Sequence, residues 1–291
     1  MSNFNLNRPA NAYALQLVAL LPTVFETERK FGRSFSELQV LDGVAENKTA
    51  FTVKTNDQAI VINNYDKTAI VDAKDSNNRF GKLQEIIYTN EDVQYDVPLS
   101  TNVLLDAVTV NTRLELAVAE NLIRTASEYT TQMNIADGKF FSDVAQIVED
   151  NADLSDESTE ALLNKLSAAY IDLEVSVDVT MYCKPELYGA LVDSRLATTG
   201  KNSSVSIDAN GLYWFKGFRI EAVPSKYFEE GDVAYLVPDG VAVPFVGISL
   251  ARTIEDSKYA GLILQTLSQG GRFVLDDNKK AIGKVTLTEA P

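Results

Sequence analysis

The chemistry open to a chain depends first on which reactive side chains it owns, and this one has no histidine. That removes the usual general base, the Ser-His and Cys-His nucleophile pairs and the commonest transition-metal ligand. Its one cysteine, Cys183, can close neither an intrachain disulfide nor a cysteine-rich zinc site. Lys184 follows it, but neighbours on a strand point to opposite faces, so Cys183 reads as a buried structural thiol rather than an activated nucleophile. With 41 acidic residues, carboxylate pairs arise by chance, and no pair stands out as an acid–base dyad. Asp75, Asn77 and Asn78 faintly resemble the start of a calcium loop, but Phe80 and Ile86 stand where that loop needs a glycine and a glutamate. The stretch Glu229-Glu230-Gly231-Asp232 reads as a solvated turn and Gly270-Gly271 as a turn pair. No glycine-rich phosphate loop occurs. These residues indicate no catalytic site, no cofactor and no metal, and they disfavour an enzyme.

Charge narrows the partners. Lysine and arginine number 26 against 41 acidic residues, a net of −15. Such an excess repels nucleic acid and anionic membrane. It is unevenly spread: residues 140–194 hold 12 acidic and 2 basic side chains. Arg8, Arg29, Lys30, Arg33 and Lys48 lie near the N-terminus, and Lys67, Lys74, Arg79 and Lys82 in the next segment. An acidic region of one copy could therefore meet basic segments of another, or the charges could balance within one chain. No apolar run is long enough to span a bilayer or patterned as a signal peptide, so the chain reads as soluble and intracellular.

The elements follow from periodicity. At 45% hydrophobic and 23% charged, the 291 residues are ordinary globular material that can bury a core. Leu15, Val18, Leu21 and Phe25 give a short amphipathic helix that Pro22 should kink or end. It is either a surface helix on its own domain or an arm packing on a neighbour. Thr49–Lys54, part of Ala59–Ile62, and Ile86–Tyr88 onward read as strands of a long hairpin around the polar stretch Asp72–Gly81. A lone two-stranded hairpin is marginally stable in water, so another chain should support it. Leu114, Ala117, Val118, Leu122, Ile123, Ala126 and Tyr129 predict a helix over 111–134, with Gly138 just past its end. Ser155 caps a further helix, Val175–Met181 alternates as a strand and Pro185 opens another helix. The remainder is mostly strand. Arg272–Leu275 and Lys280–Leu287 flank Asp276-Asp277-Asn278 as a hairpin.

This order of parts resembles the Hong Kong 97-type major capsid proteins of tailed bacteriophages. The likeness is carried by Val97-Pro-Leu-Ser-Thr-Asn-Val-Leu-Leu-Asp106 before the long helix, Val179-Thr-Met-Tyr-Cys-Lys-Pro-Glu-Leu-Tyr-Gly-Ala-Leu191, Lys216-Gly-Phe-Arg-Ile-Glu-Ala-Val223 and Gly271–Ile282. It covers nearly the whole chain. The resemblance implies a mixed α+β fold with an N-terminal arm (1–44), an extended β-hairpin loop (45–95), a peripheral domain with a spine helix (96–144 and 251–291) and an axial α/β domain (145–250). It implies a subunit that assembles as hexamers and pentamers into an icosahedral phage head enclosing DNA without sequence-specific binding. Arg8, Arg29, Lys30, Lys48, Lys67, Arg79, Phe80 and Lys82 would contact neighbouring copies. The resemblance further implies a scaffolding protein, separate or already removed, a portal, and in some members decoration proteins or a lysine–asparagine crosslink from the extended loop. An encapsulin-like nanocompartment shell and a tail-tube protein are the competing self-assembling alternatives. The shell reading expects both the arm and the hairpin to need a second copy for burial.

Overall fold

Residues 10–42, 49–56, 60–67, 77–106, 114–151, 153–193, 205–207, 213–255 and 260–287 are described by a computed structural model. In chain order the first elements are α1 (Ala10–Glu28), β1 (Gln39–Asp42), β2 (Thr49–Thr55), β3 (Asn77–Asn78), β4 (Gly81–Lys82), β5 (Thr89–Gln94), β6 (Val97–Asp106) and α2 (Leu114–Val144). There follow β7 (Ile147–Asn151), α3 (Asp156–Asp172), β8 (Val179–Cys183), α4 (Pro185–Asp193), β9 (Val205–Ile207), β10 (Tyr213–Phe215) and β11 (Phe218–Ala222). The last are β12 (Asp232–Pro238), β13 (Ala242–Glu255), β14 (Gly261–Val274), the single turn α5 (Asp276–Lys279) and β15 (Gly283–Leu287). The chain divides into two units: Ala45–Gln94, and Met1–Val44 together with Tyr95–Pro291.

The larger unit holds two sheets. One is four-stranded, ordered β1-β13-β14-β6. Its spine is the antiparallel pair of 14-residue strands β13 and β14, registered from Ala242↔Val274 to Glu255↔Leu262. Helices α1 and α2 bury one face of this sheet. Their contribution is Tyr13, Leu17, Leu21 and Phe25 from α1 and Val118, Leu122, Ala126, Tyr129 and Met133 from α2, against Leu99, Leu105, Val246 and Leu264. Of the expected arm, residues 1–9 lie outside the described residues, and Ala10–Glu28 is a core helix of its own chain rather than a segment packed on a neighbour. Its buried positions recur every four residues from Tyr13, so Leu15 falls outside the stripe and is exposed. Pro22 lies inside the helix, where it forfeits one backbone hydrogen bond while packing holds the turn.

The other sheet is seven-stranded, ordered β7-β15-β12-β8-β11-β10-β9. Strand β8, between β11 and β12, is buried along its whole length. Met181 and Cys183 face a core shared with Leu162, Leu163 and Leu166 of α3 and Leu187 and Leu191 of α4. Tyr182 faces the opposite way, into an aromatic cluster that joins the two sheets. There Phe31, from the turn after α1, stands edge-on to Phe141 of α2 at 5.5 Å and to Tyr182 at 5.1 Å. Ser34 locks it, its backbone N–H and hydroxyl both directed at the Tyr182 hydroxyl oxygen at 3.1 and 3.0 Å.

Local signals explain the helix ends. Ser155 caps α3, its hydroxyl accepting from Ser158 N–H, and Pro185 is the first residue of α4, both as the sequence predicts. At the far end of α3 the chain leaves through Glu174 in the left-handed region (φ 53°), where glycine is the usual residue. Two expectations fail. Helix α2 runs 31 residues to Val144, about 46 Å, and Gly138 sits inside it rather than beyond its end. The glycine is there because a Cβ would overlap the Tyr227 carbonyl oxygen of the crossing 225–227 turn. The expected final hairpin is also absent. β14 belongs to the four-stranded sheet, while β15 pairs antiparallel with β12 and parallel with β7 in the other. Asp276–Lys279 is therefore a crossover turn between sheets.

In an ordinary helix interior, glycine to alanine stabilises by about 1 kcal/mol. Here Gly138→Ala is expected to destabilise the protein by at least about 2 kcal/mol, because the backbone of α2 must lift off the 225–227 turn. Urea unfolding of the purified protein gives the sign. A stabilised variant would show that the close approach is not maintained in solution.

Candidate assembly surface

Of the reactive groups that the sequence singles out, Cys183 and Asp232 are withdrawn from solvent, Glu230 is exposed, and Asp75 lies outside the described residues. Cys183 is fully buried and burial raises its thiol pKa, so it carries no thiolate at neutral pH. Among the described residues, no three His, Cys, Asp or Glu side chains gather closely enough to hold a metal ion. No helix among them is long and apolar enough to cross a membrane. Asp232 is not part of a solvated turn. It is buried, accepts from the Tyr235 hydroxyl at 3.0 Å and pairs with Lys284 at 3.7 Å.

One ionic cluster escaped the sequence reading. Arg272 of β14 is buried and reaches Asp137 of α2 at 3.5 Å and Asp96, between β5 and β6, at 3.3 Å. Its guanidinium also lies 5.8 Å from the Phe140 ring centre. Asp137 is 1% exposed, and its Oδ2 has no hydrogen-bond partner among the described residues. Burial lifts its pKa to about 6, against the opposing pull of Arg272 and Arg29. The cluster is intramolecular. It ties α2, β14 and the start of β6 together.

The surface that stands out lies within residues 45–94. There β2 and β5 pair antiparallel from Thr49↔Gln94 to Thr55↔Thr89, and β3 and β4 close a tight turn around Arg79-Phe80. The Asp66 N–H donates to the Arg79 carbonyl at 3.0 Å, which brings residues 65–67 beside the turn. Tyr65 meets Phe80 edge-on at 5.1 Å. Of the expected strands, Ala59 lies outside the described residues, and neither 60–62 nor 86–88 is strand. Their apolar side chains are exposed instead: Ile60, Val61, Ile62, Leu83, Ile87 and Tyr88 are each more than half exposed, Ile62 at 93%. A cavity of about 380 Å³ opens among Val61, Asn63, Leu83, Gln84 and Glu85.

No protein-family model matches this chain, and no curated protein matches it. Solved structures do. The capsid structure of the cyanophage P-SCSP1u superposes with a TM-score of 0.57 at 12% identity, covering 87% of each chain. A structure from Mycobacterium phage Che8 gives 0.58 at 15% identity over 81% of this chain and 83% of that one. The mature capsid of bacteriophage PhiM1 gives 0.58 at 10% identity over 87% and 86%. The fold is Hong Kong 97-like. At such identities the likeness is one of architecture.

Against the Hong Kong 97-like fold, the eight basic and aromatic positions expected at subunit contacts separate into three groups. Arg8 and Lys48 lie outside the described residues. Arg29 is engaged within its own chain: it lies 4.9 Å from the centres of both the Phe25 and Phe35 rings and donates to the Ser36 carbonyl at 3.1 Å. Lys30 donates its backbone N–H to Asn134 at 3.0 Å and leaves its side chain exposed. Lys67, Arg79 and Phe80 are exposed and drawn together by the Asp66–Arg79 bond, and Lys82 is on β4 next to them. The apolar set around Ile60–Ile62 and Ile86–Tyr88 was missed as surface. Its signal was two short apolar runs, which read equally well as buried strands.

The Asp137 cluster makes a pH prediction. A carboxyl whose folded pKa exceeds its ordinary 3.8 holds its proton more tightly in the folded chain. Its contribution to stability is full below about pH 4 and is lost as pH rises through about 6. Between pH 4 and pH 7 the unmodified protein should therefore lose on the order of 2 kcal/mol relative to Asp137→Asn. Parallel urea titrations of the two proteins would test this, and identical pH dependence would refute it.

Proposed function

We propose that the chain is the structural subunit of a tailed-phage head, many copies of which self-assemble into an icosahedral shell around the DNA genome. The observation that carries this reading is the exposed apolar surface of residues 45–94. A two-stranded pair bearing Ile60, Val61, Ile62, Leu83, Ile87 and Tyr88 in water is a poor free end-state. Burial against identical copies is the simplest remedy, and the capsid-like architecture supports it. The role is architectural rather than catalytic. In a closed symmetric assembly, many modest contacts add to a stable whole.

On this reading residues 45–94 are the extended loop. The four-stranded sheet with α1 and α2 is the peripheral domain, and the seven-stranded sheet with α3 and α4 is the axial domain. Sheet membership supports drawing two boundaries differently on this reading, since Ala242–Glu255 pairs within the four-stranded sheet and Gly283–Leu287 within the seven-stranded one. The net charge of −15 suits a container that does not adsorb the DNA it holds. A scaffolding protein, a portal and assembly in the host cytoplasm complete the proposal.

The three cores described above are built from residues outside 45–94. Replacing 45–94 with a short Gly/Ser linker should therefore leave a cooperatively melting protein that no longer assembles. The unmodified chain should sediment as pentamers, hexamers or shells, with closed particles in negative stain. A native monomer under all conditions, or shells formed by the deletion variant, would count decisively against the proposal.

A further inference from the structure

The segment joining α3 to β8 runs between two cavities that have no role so far. One of about 410 Å³ lies between the end of α3 and the 215–218 turn; the other, of about 280 Å³, lies toward α5. Both are lined by Glu174, Val175 and Val177, so they form one groove. Its apolar lining is unusually open: Ile171 is 71% exposed, and Leu173 and Val177 are also exposed. The rim is acidic. Lys216 and Lys280 reach the groove, but Lys216 is held by Asn164 and Glu160, and Lys280 by Asp277 at 2.8 Å. Asp172 and Glu174 make no ion pair among the described residues, and both are exposed. Glu174 also occupies a left-handed position that favours glycine, so a carboxylate is kept at the groove where the backbone would be easier without a side chain.

The β3–β4 turn has the opposite chemistry. Between Asn77 and Leu83 it carries Arg79 and Lys82 and no acidic residue. Arg79 is exposed, and Phe80 is 74% exposed at its apex. An aromatic flanked by cations is the anchor type that dominates protein interfaces, and an apolar groove with the Glu174 carboxylate at its edge is its complement. Resting on the shell reading above, we infer that the groove flanking residues 173–177 receives the Arg79-Phe80 turn of a second copy. Phe80 lies against Ile171 and Val177, and Arg79 pairs with Glu174.

Both Phe80 and Ile171 are exposed, so cysteines there leave the fold intact, and buried Cys183 gives little background. The double variant Phe80→Cys with Ile171→Cys, assembled and mildly oxidised, should give a ladder of covalent multimers on a non-reducing gel, and neither single variant should. Independently, Arg79→Glu or Glu174→Arg alone should raise the protein concentration needed for assembly about tenfold, and the two together should restore it. Assemblies that form normally but show neither the ladder nor the rescue would overturn this contact and leave the shell reading standing. Absence of any assembly by the unmodified chain would overturn both.

Discussion

One helix belongs to two cores, and the rest of the body is arranged around that constraint. The first part of α2 supplies Val118, Leu122, Ala126, Tyr129 and Met133 to the core of the four-stranded sheet. Its last turns supply Phe141 to the aromatic cluster at the second sheet. A straight helix can serve both only if nothing holds it away from the 225–227 turn, hence glycine at 138. Polar groups fix its rotation: the Tyr129 hydroxyl meets Thr266 of β14 at 2.6 Å, and Asp137 faces Arg272 of the same strand. Helix and strand are thus clamped at two points with the apolar stripe between them. The N-terminal segment then closes the arrangement, with α1 lying beside α2 and Phe31 entering the junction.

This division of labour separates folding from association. Most of the body's large apolar residues enter its own three cores, Tyr13, Leu17, Leu21 and Phe25 of α1 among them, and exposed ones such as Leu116, Ile123 and Ile171 are left outside. Residues 45–94 do the reverse and leave their large aliphatic side chains at the surface. On the proposed shell reading, a subunit built this way folds before it meets a copy of itself and still gains substantially from the encounter. That burial is worth roughly 25 cal/mol per Å² of apolar surface, before the entropy of ordering is subtracted.

What could be read from the sequence was what local chemistry dictates. The Ser155 cap, the Pro185 start and the strands β8, β11 and β12 depend on a few adjacent residues and were legible. The misses share a cause: each depended on a partner far along the chain. Gly138 has the local signature of a helix stop, and only the crossing turn at Tyr227 makes it an interior residue. Asp276-Asp277-Asn278 is good turn chemistry, but turn chemistry does not say which sheet the next strand joins. Arg29 looked like a surface cation, and its place between Phe25 and Phe35 exists only because the chain folds back after α1. Arg272 and Asp137 were hidden for the same reason. The apolar runs at 60–62 and 86–88 were misread in the opposite sense. Single-chain reasoning assumes that such runs find burial within the chain, and here they do not.

The charge distribution sets the conditions under which copies can meet. Two subunits of net −15 repel each other at long range. At about 0.1 M salt that repulsion is screened beyond roughly 10 Å, whereas a desolvated apolar contact is unaffected. Uniform attraction therefore cannot bring copies together, and association must rest on local patches where sign and shape both match. Exposed apolar surface with Arg79 beside it is one such patch, and apolar surface beside Glu174 is another. Away from these patches the acidic surface penalises any approach in the wrong register. The same net charge that makes nonspecific clumping costly thus leaves the matched geometry as the favourable one, which is what an assembly of defined curvature requires.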